Sequence, residues 1–203
     1  MKVGPRFASA AAQAIARLLT TPEPLPPGRG WSKQSLSRGA AGVALLHIER
    51  AHCGEGGWQT AHSWVTAAAG DGVSAADNAN LLFGAPALAF ILHAADADGT
   101  VRYGPARTAV DTSVVALTHR RVDLAHARID RGELPAFGEY DLLHGLTGLG
   151  VHLLQHAAGN DALERVLTYL VRLTHPLSLF RFDGHHRCGG QAASAVSYSA
   201  GLR

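Results

Sequence analysis

Three short stretches of this chain each place a glycine at the head of an apolar run, and that repetition constrains the fold more than any other feature. They are SLSRGAAGVALLHI (35–48), NLLFGAPALAFILH (80–93) and DLLHGLTGLGVHLL (141–154). The leading glycines Gly39, Gly84 and Gly145 are offset by 45 and 61 residues, and a leucine stands three positions before each. The first and third copies carry a full G-x-x-G, as Gly39/Gly42 and Gly145/Gly148, while the second has Ala87 at the later position. Glycine inside a helix costs roughly 1 kcal/mol relative to alanine. A chain that repeats the pattern needs backbone to come close there, or needs a turn that only glycine takes easily.

Between these segments lie helical stretches without the motif. Leu163, Val166, Leu167, Leu170 and Val171 follow i, i+3, i+4, i+7, i+8 spacing, the mark of an amphipathic helix. Val115, Val122 and Ile129, seven apart, predict a long helix over about 106–130, and helices over 7–19 and 58–69 complete the set. No stretch alternates with a period of two. The order is outer helix, glycine-led inner helix, outer helix, as in a ring of helical hairpins. Its inner helices would start at one end, where their amide groups favour anions.

Composition excludes several classes. At 203 residues, with 47% hydrophobic and 17% charged, the chain suits one globular domain. A net charge of +2, with scattered arginines, gives no nucleic-acid surface. The most apolar run, 83–95, contains Pro86 and His93 and falls short of the roughly 18 residues a membrane span needs. MKVGPRFASAAAQAIARLL imitates a signal peptide, but Gln13 and Arg17 interrupt it, so an amphipathic helix and a cytoplasmic protein are expected. The two cysteines, Cys53 and Cys188, make no disulfide scaffold, and TPEPLPPGRG (21–30) reads as a stiff connector.

The residues flanking the glycines resemble the lanthionine synthetase C-like family, the cyclases of lanthipeptide biosynthesis. SLSRGAAGVALL (35–46), LLFGAPALAF (81–90) and AHARIDRGELPAFGEYDLLHGLTGLGVHLL (125–154) carry the resemblance, over about residues 5–175. It implies an all-α fold, a partial α/α toroid amounting to about half of a double-layered helical barrel. The activity implied is peptide modification, in which cysteine thiols add to dehydroalanine or dehydrobutyrine to form thioether rings. In the full-length family a Zn2+ held by two cysteines and one histidine makes the thiolate accessible near neutral pH. By the same resemblance Asp141, in E-Y-D-L, matches an acidic active-site position, and His144 beside it is a weaker catalytic candidate. An aspartate ahead of a helix is also a common cap, and a histidine there is commonly structural.

The departures from the family matter as much. Its A-H-G, W-C-x-G and C-H-G motifs, which supply a histidine and the zinc ligands, do not occur in this sequence. Cys53 follows His52 at the wrong end of an inner helix. The other candidate, His185, His186 and Cys188 in FDGHHRCGG, reads more simply as a loop. No metal site and no cofactor are therefore expected in this chain. After Pro176 the helical period is lost, so residues 1–175 are expected to form the half toroid and 176–203 an irregular tail, from truncation or a frame shift.

A truncated cyclase, inactive alone, is the expected function. The alternative is a non-catalytic helical repeat protein that binds a peptide or protein partner. A precursor peptide or a dehydratase is the implied partner, with self-association through exposed helix faces such as Leu163 to Val171. A glycan-processing enzyme would need facing carboxylates, and Glu139 and Asp141 are only two apart. If a frame shift produced the tail, the DNA beyond codon 176 should encode those three motifs in another frame, and sequencing it checks the expectation.

Overall fold

The computed structural model describes residues 5–22 and 32–175, and every element in it is a helix. They are α1 (Pro5–Leu18), α2 (Ala40–His52), α3 (Trp58–Ala69), α4 (Ala85–Ala95), α5 (Gly104–Asp130), α6 (Phe137–Tyr140), α7 (Leu146–His156) and α8 (Asp161–Leu173). The three glycine-led helices α2, α4 and α7 begin directly after Gly39, Gly84 and Gly145. Each pairs with the helix that follows it, as α2 with α3, α4 with α5 and α7 with α8, and α4 also packs against α2 and α7. The fold is the all-helical kind that the glycine repeats predict.

Helix α4 is the centre of the core. Ala85, Pro86, Ala87, Leu88, Ala89, Ile91, Leu92 and Ala95 are all buried, as expected of a helix that is apolar on most of its surface. The outer helices are two-faced. On α5 the buried positions are Val110, Val114, Leu117, Thr118, Val122, Ala125 and Arg128. The seven-residue spacing of Val115, Val122 and Ile129 runs along the edge of that stripe, leaving Val115 and Ile129 half-buried. On α8, Leu163, Val166 and Tyr169 are buried. Of the five residues expected to form its exposed apolar face, only Leu167 and Val171 are exposed, at 54% and 59%; the face is narrower because α5 and α7 cover the rest.

The loops before the inner helices are hydrogen-bonded to one another in a repeating register. The Leu36 N–H donates to the Leu82 carbonyl at 2.9 Å, and the Leu81 N–H donates to the Leu143 carbonyl at 3.1 Å. Leu36 and Leu81 both stand three positions before their glycine, and Leu82 and Leu143 both stand two before theirs. The Gly84 N–H also donates to the Gln34 carbonyl at 3.3 Å. The N-terminal ends of all three inner helices therefore lie side by side, as expected.

Close approach explains the glycines of the repeated motif. A Cβ built on Gly42 would lie 2.1 Å from the Leu36 carbonyl oxygen, and one on Gly148 would lie 2.0 Å from that of Leu142. The contacts are equivalent, each with the carbonyl six residues earlier. Gly39 and Gly145 are similarly pressed on Ser32 and Asp141, in extended backbone that any residue adopts. Of the three leading glycines only Gly84 has a positive φ, 77°. This sends the second loop along a different path, and the later position there tolerates Ala87, itself fully buried.

The connection from α5 to α7 is held by a buried ion pair that the sequence did not announce. The Arg128 guanidinium, with its side chain 10% exposed, donates two hydrogen bonds of 2.8 Å to the Glu139 carboxylate. The Tyr169 hydroxyl on α8 donates a third at 2.6 Å. Burial pushes the Glu139 carboxyl up, but the bonds from Arg128 and Tyr169 outweigh it and hold it below the ordinary 4.5. Because the folded value is the lower one, this stabilisation is present above about 4.5 and is lost as pH falls through it.

Two outcomes follow for stability. Gly42→Val or Gly148→Val is expected to lower the unfolding free energy by about 1–3 kcal/mol through overpacking. Gly138→Ala, where a Cβ meets nothing within 4 Å, should be neutral or mildly stabilising; urea denaturation of the three variants checks both. Glu139→Gln should cost about 1.5–3 kcal/mol at neutral pH. It should also flatten the loss of melting temperature with acid below pH 4.5 that the parent shows, as read by thermal melts across pH.

Candidate functional site

Asp141 and His144 sit in the loop that leads into α7, on the side of the molecule where the three helix N-termini gather. The Asp141 Oδ1 accepts the backbone N–H of Leu143 at 2.5 Å and of His144 at 2.7 Å. Its Oδ2 lies 3.2 Å from the His144 Nδ1. The cap of α7 itself is Gly145, so Asp141 organises the turn before the helix rather than the helix end. The His144 backbone N–H, aided by that of Leu143, holds the Asp141 carboxyl below the usual carboxylate range despite an opposing push from burial. The aspartate side chain is only 8% exposed, whereas the His144 side chain is 58% exposed. The arrangement is a shielded carboxylate that orients an imidazole open to solvent.

Two neighbours complete this rim. Arg121 reaches from α5 to donate to the Ala79 carbonyl at 3.2 Å and the Gly138 carbonyl at 3.4 Å. Leu142 and Leu143 expose apolar surface beside the dyad, at 55% and 46%. Glu139 is fully engaged by Arg128 and Tyr169, and Asp141 by its own turn. The two carboxylates do not form a facing pair, which removes the basis for glycan chemistry.

A second polar cluster, which the sequence reading missed, lies near the other ends of the same helices. His93 near the end of α4, Asp111 on α5 and His152 on α7 place one ligand atom each within 4.8 Å of one another. The His93 Nε2 is 3.0 Å from both Asp111 oxygens. The His152 Nε2 is 3.9 Å from Asp111 Oδ1, and the residue is 4% exposed. His156, the last residue of α7, stacks on His93 with ring centroids 3.7 Å apart. Burial and the neighbouring imidazoles pull its own affinity for a proton down to a pKa of about 4. Asp111 is raised by burial but drawn lower overall by His152 and His93. The available signal was HLLQH (152–156), an i, i+4 histidine pair on one helix face. Attention to cysteine-containing clusters passed over it.

The cysteine candidates fare differently. Cys53 is exposed just past the end of α2. The His52 Nε2 beside it is occupied by the Ala94 carbonyl at 2.9 Å, and its ring meets Trp58 edge-on. Residues His185, His186 and Cys188 lie outside the described residues, as does the tail 176–203. No helix among the described residues is long and apolar enough to cross a membrane.

Comparison with known proteins gives one match. The family model described as lanthionine synthetase C-like protein matches residues 30–190. No curated protein and no solved structure matches the chain. The matched stretch continues past Pro176, so the likeness does not stop where the helical period does. The zinc set that the resemblance implies, two cysteines and one histidine, does not fit the described residues, whose one cysteine is exposed at the end of α2 away from Asp141. The match nonetheless takes in all three glycine-led helices with their outer partners, and the chain belongs to the lanthionine synthetase C-like family.

Proposed function

We propose that this chain handles dehydrated precursor peptides of the lanthipeptide kind, and that its rim of glycine loops is the peptide-facing surface. The observation that carries the reading is the Asp141–His144 pair, set at 3.2 Å where the inner helices begin. Addition of a thiol across a dehydroamino acid leaves an enolate that must take up a proton. An imidazole held by a carboxylate is suited to deliver one. Asp141 is the orienting group and His144 the proton carrier.

Thiol activation is the part of the reaction these residues do not provide. An unperturbed cysteine is only a few per cent thiolate near neutral pH. The W-C-x-G and C-H-G strings that hold the family's metal are not in this sequence. On this reading the chain is inactive alone and depends on ligands supplied from elsewhere. The second reading, a non-catalytic module that binds a peptide or protein, draws on the exposed Leu142 and Leu143, which offer apolar contact without chemistry.

Incubating the purified chain with a dehydrated precursor peptide, and following free thiol by alkylation and mass spectrometry, tests the proposal. Ring formation should match the uncatalysed control within about twofold, because the sequence lacks the strings that hold the family's thiolate-generating metal. The peptide should still bind, as measured by fluorescence anisotropy. His144→Ala should leave that affinity nearly unchanged, while replacing Leu142 with serine weakens it. Ring formation well above the control and abolished by a chelator would overturn the incomplete-site reading. No detectable peptide binding would overturn both.

A further inference from the structure

We propose that His93, Asp111 and His152 form a binding site for a divalent transition-metal ion of the zinc type, which clips α4, α5 and α7 together at the end away from the glycine loops. Asp111 bridges the two histidines nearest it but satisfies only one. His93 reaches both carboxylate oxygens at 3.0 Å, whereas the buried His152 stops 3.9 Å short of Oδ1. That is too long for a direct hydrogen bond. Zinc bonds of about 2.0–2.2 Å place neighbouring ligand atoms of a tetrahedral ion roughly 3.3–3.5 Å apart. The observed 3.0 and 3.9 Å fall on either side of that spacing, so small side-chain rotations bring the three donors to one point.

The donor set selects the ion. Imidazole with a carboxylate suits zinc and its first-row neighbours, while calcium and magnesium prefer oxygen alone. Three protein ligands leave a fourth position open; His156 lies outside the set, stacked face to face on His93 with ring centroids 3.7 Å apart. This site contains no cysteine and lies at the opposite ends of the helices from Asp141. Eight residues separate His152 from His144, about 12 Å along the helix axis.

Zinc titration of the full, chelator-stripped chain by calorimetry, with cobalt absorption as a second readout, tests the site. A background variant carrying Cys53→Ser, His185→Ala, His186→Ala and Cys188→Ser removes the other soft ligands. It should still bind one equivalent of zinc and show the intense visible band of tetrahedral cobalt. Asp111→Asn and His152→Gln should each weaken binding by at least about tenfold, on the scale seen when metal-site partners are altered. His93→Gln, at a half-buried position, keeps the test decisive should the His152 variant fail to fold, and should weaken binding by a similar factor. Loss of all zinc in the background variant, or undiminished affinity in His93→Gln together with Asp111→Asn or His152→Gln, would overturn the proposal.

Discussion

The pressing of a loop carbonyl onto the first turn of an inner helix is the contact on which the rest of the molecule depends. Leu36 over Gly42 and Leu142 over Gly148 leave no room for even a methyl group. Once the loop is drawn down so far, its backbone lies level with the loops of neighbouring hairpins, and the bonds from Leu36 to Leu82 and from Leu81 to Leu143 become available. Those bonds fix the hairpins in register along the helix axis. Side-chain packing between α2, α4 and α7 then needs only small residues, and α4 supplies them as Ala85, Ala87, Ala89 and Ala95. Glycine's cost in helix propensity is offset by the backbone hydrogen bonds it admits.

The sequence displayed the helices because each has a strong local signal. The leading glycines mark the starts of α2, α4 and α7, and apolar spacing marks α3, α5 and α8 to within a few residues. What it did not display depends on the third dimension. The short α6 has no buried residue and exists because Arg128 and Tyr169 seize Glu139 from two other helices. The stripe on α5 follows its contacts with α4, α7 and α8 rather than a strict period of seven. The Asp141–His144 turn was half legible. Motif and capping rule both pointed to Asp141, but only the geometry shows one carboxylate serving the backbone and the imidazole at once. The histidine cluster drew on residues 93, 111 and 152, far apart in the chain. Only its HLLQH fragment was visible in one dimension.

The inner helices thus carry polar groups of different character at their two ends. At the glycine end the carboxylate of Asp141 is shielded and His144 is open to water. At the other end His152 is enclosed and only His156 faces outward. The proposed reaction with a large, flexible peptide would use an accessible imidazole held by a shielded carboxylate, the arrangement at the first end. A buried pair of imidazoles around one aspartate is better suited to holding helices than to turning over substrate. The apolar layer of α4 and α7, including Leu88, Ile91 and Leu149, separates the two.

The register of the loop bonds gives the array a direction. At the leucine positions each N–H is donated to the following loop, as Leu36 does toward Leu82 and Leu81 toward Leu143, while Gly84 returns a bond to Gln34. In that series the next donor is Leu142, whose N–H has no partner among the described residues. Such a rim is not its own complement. Two copies meeting by a twofold axis across it would set donor against donor. Copies that continued the series would instead run head to tail, each offering a carbonyl from its first loop to its neighbour's third. Contacts of that type close into a ring when the rotation between copies permits and otherwise grow into a filament.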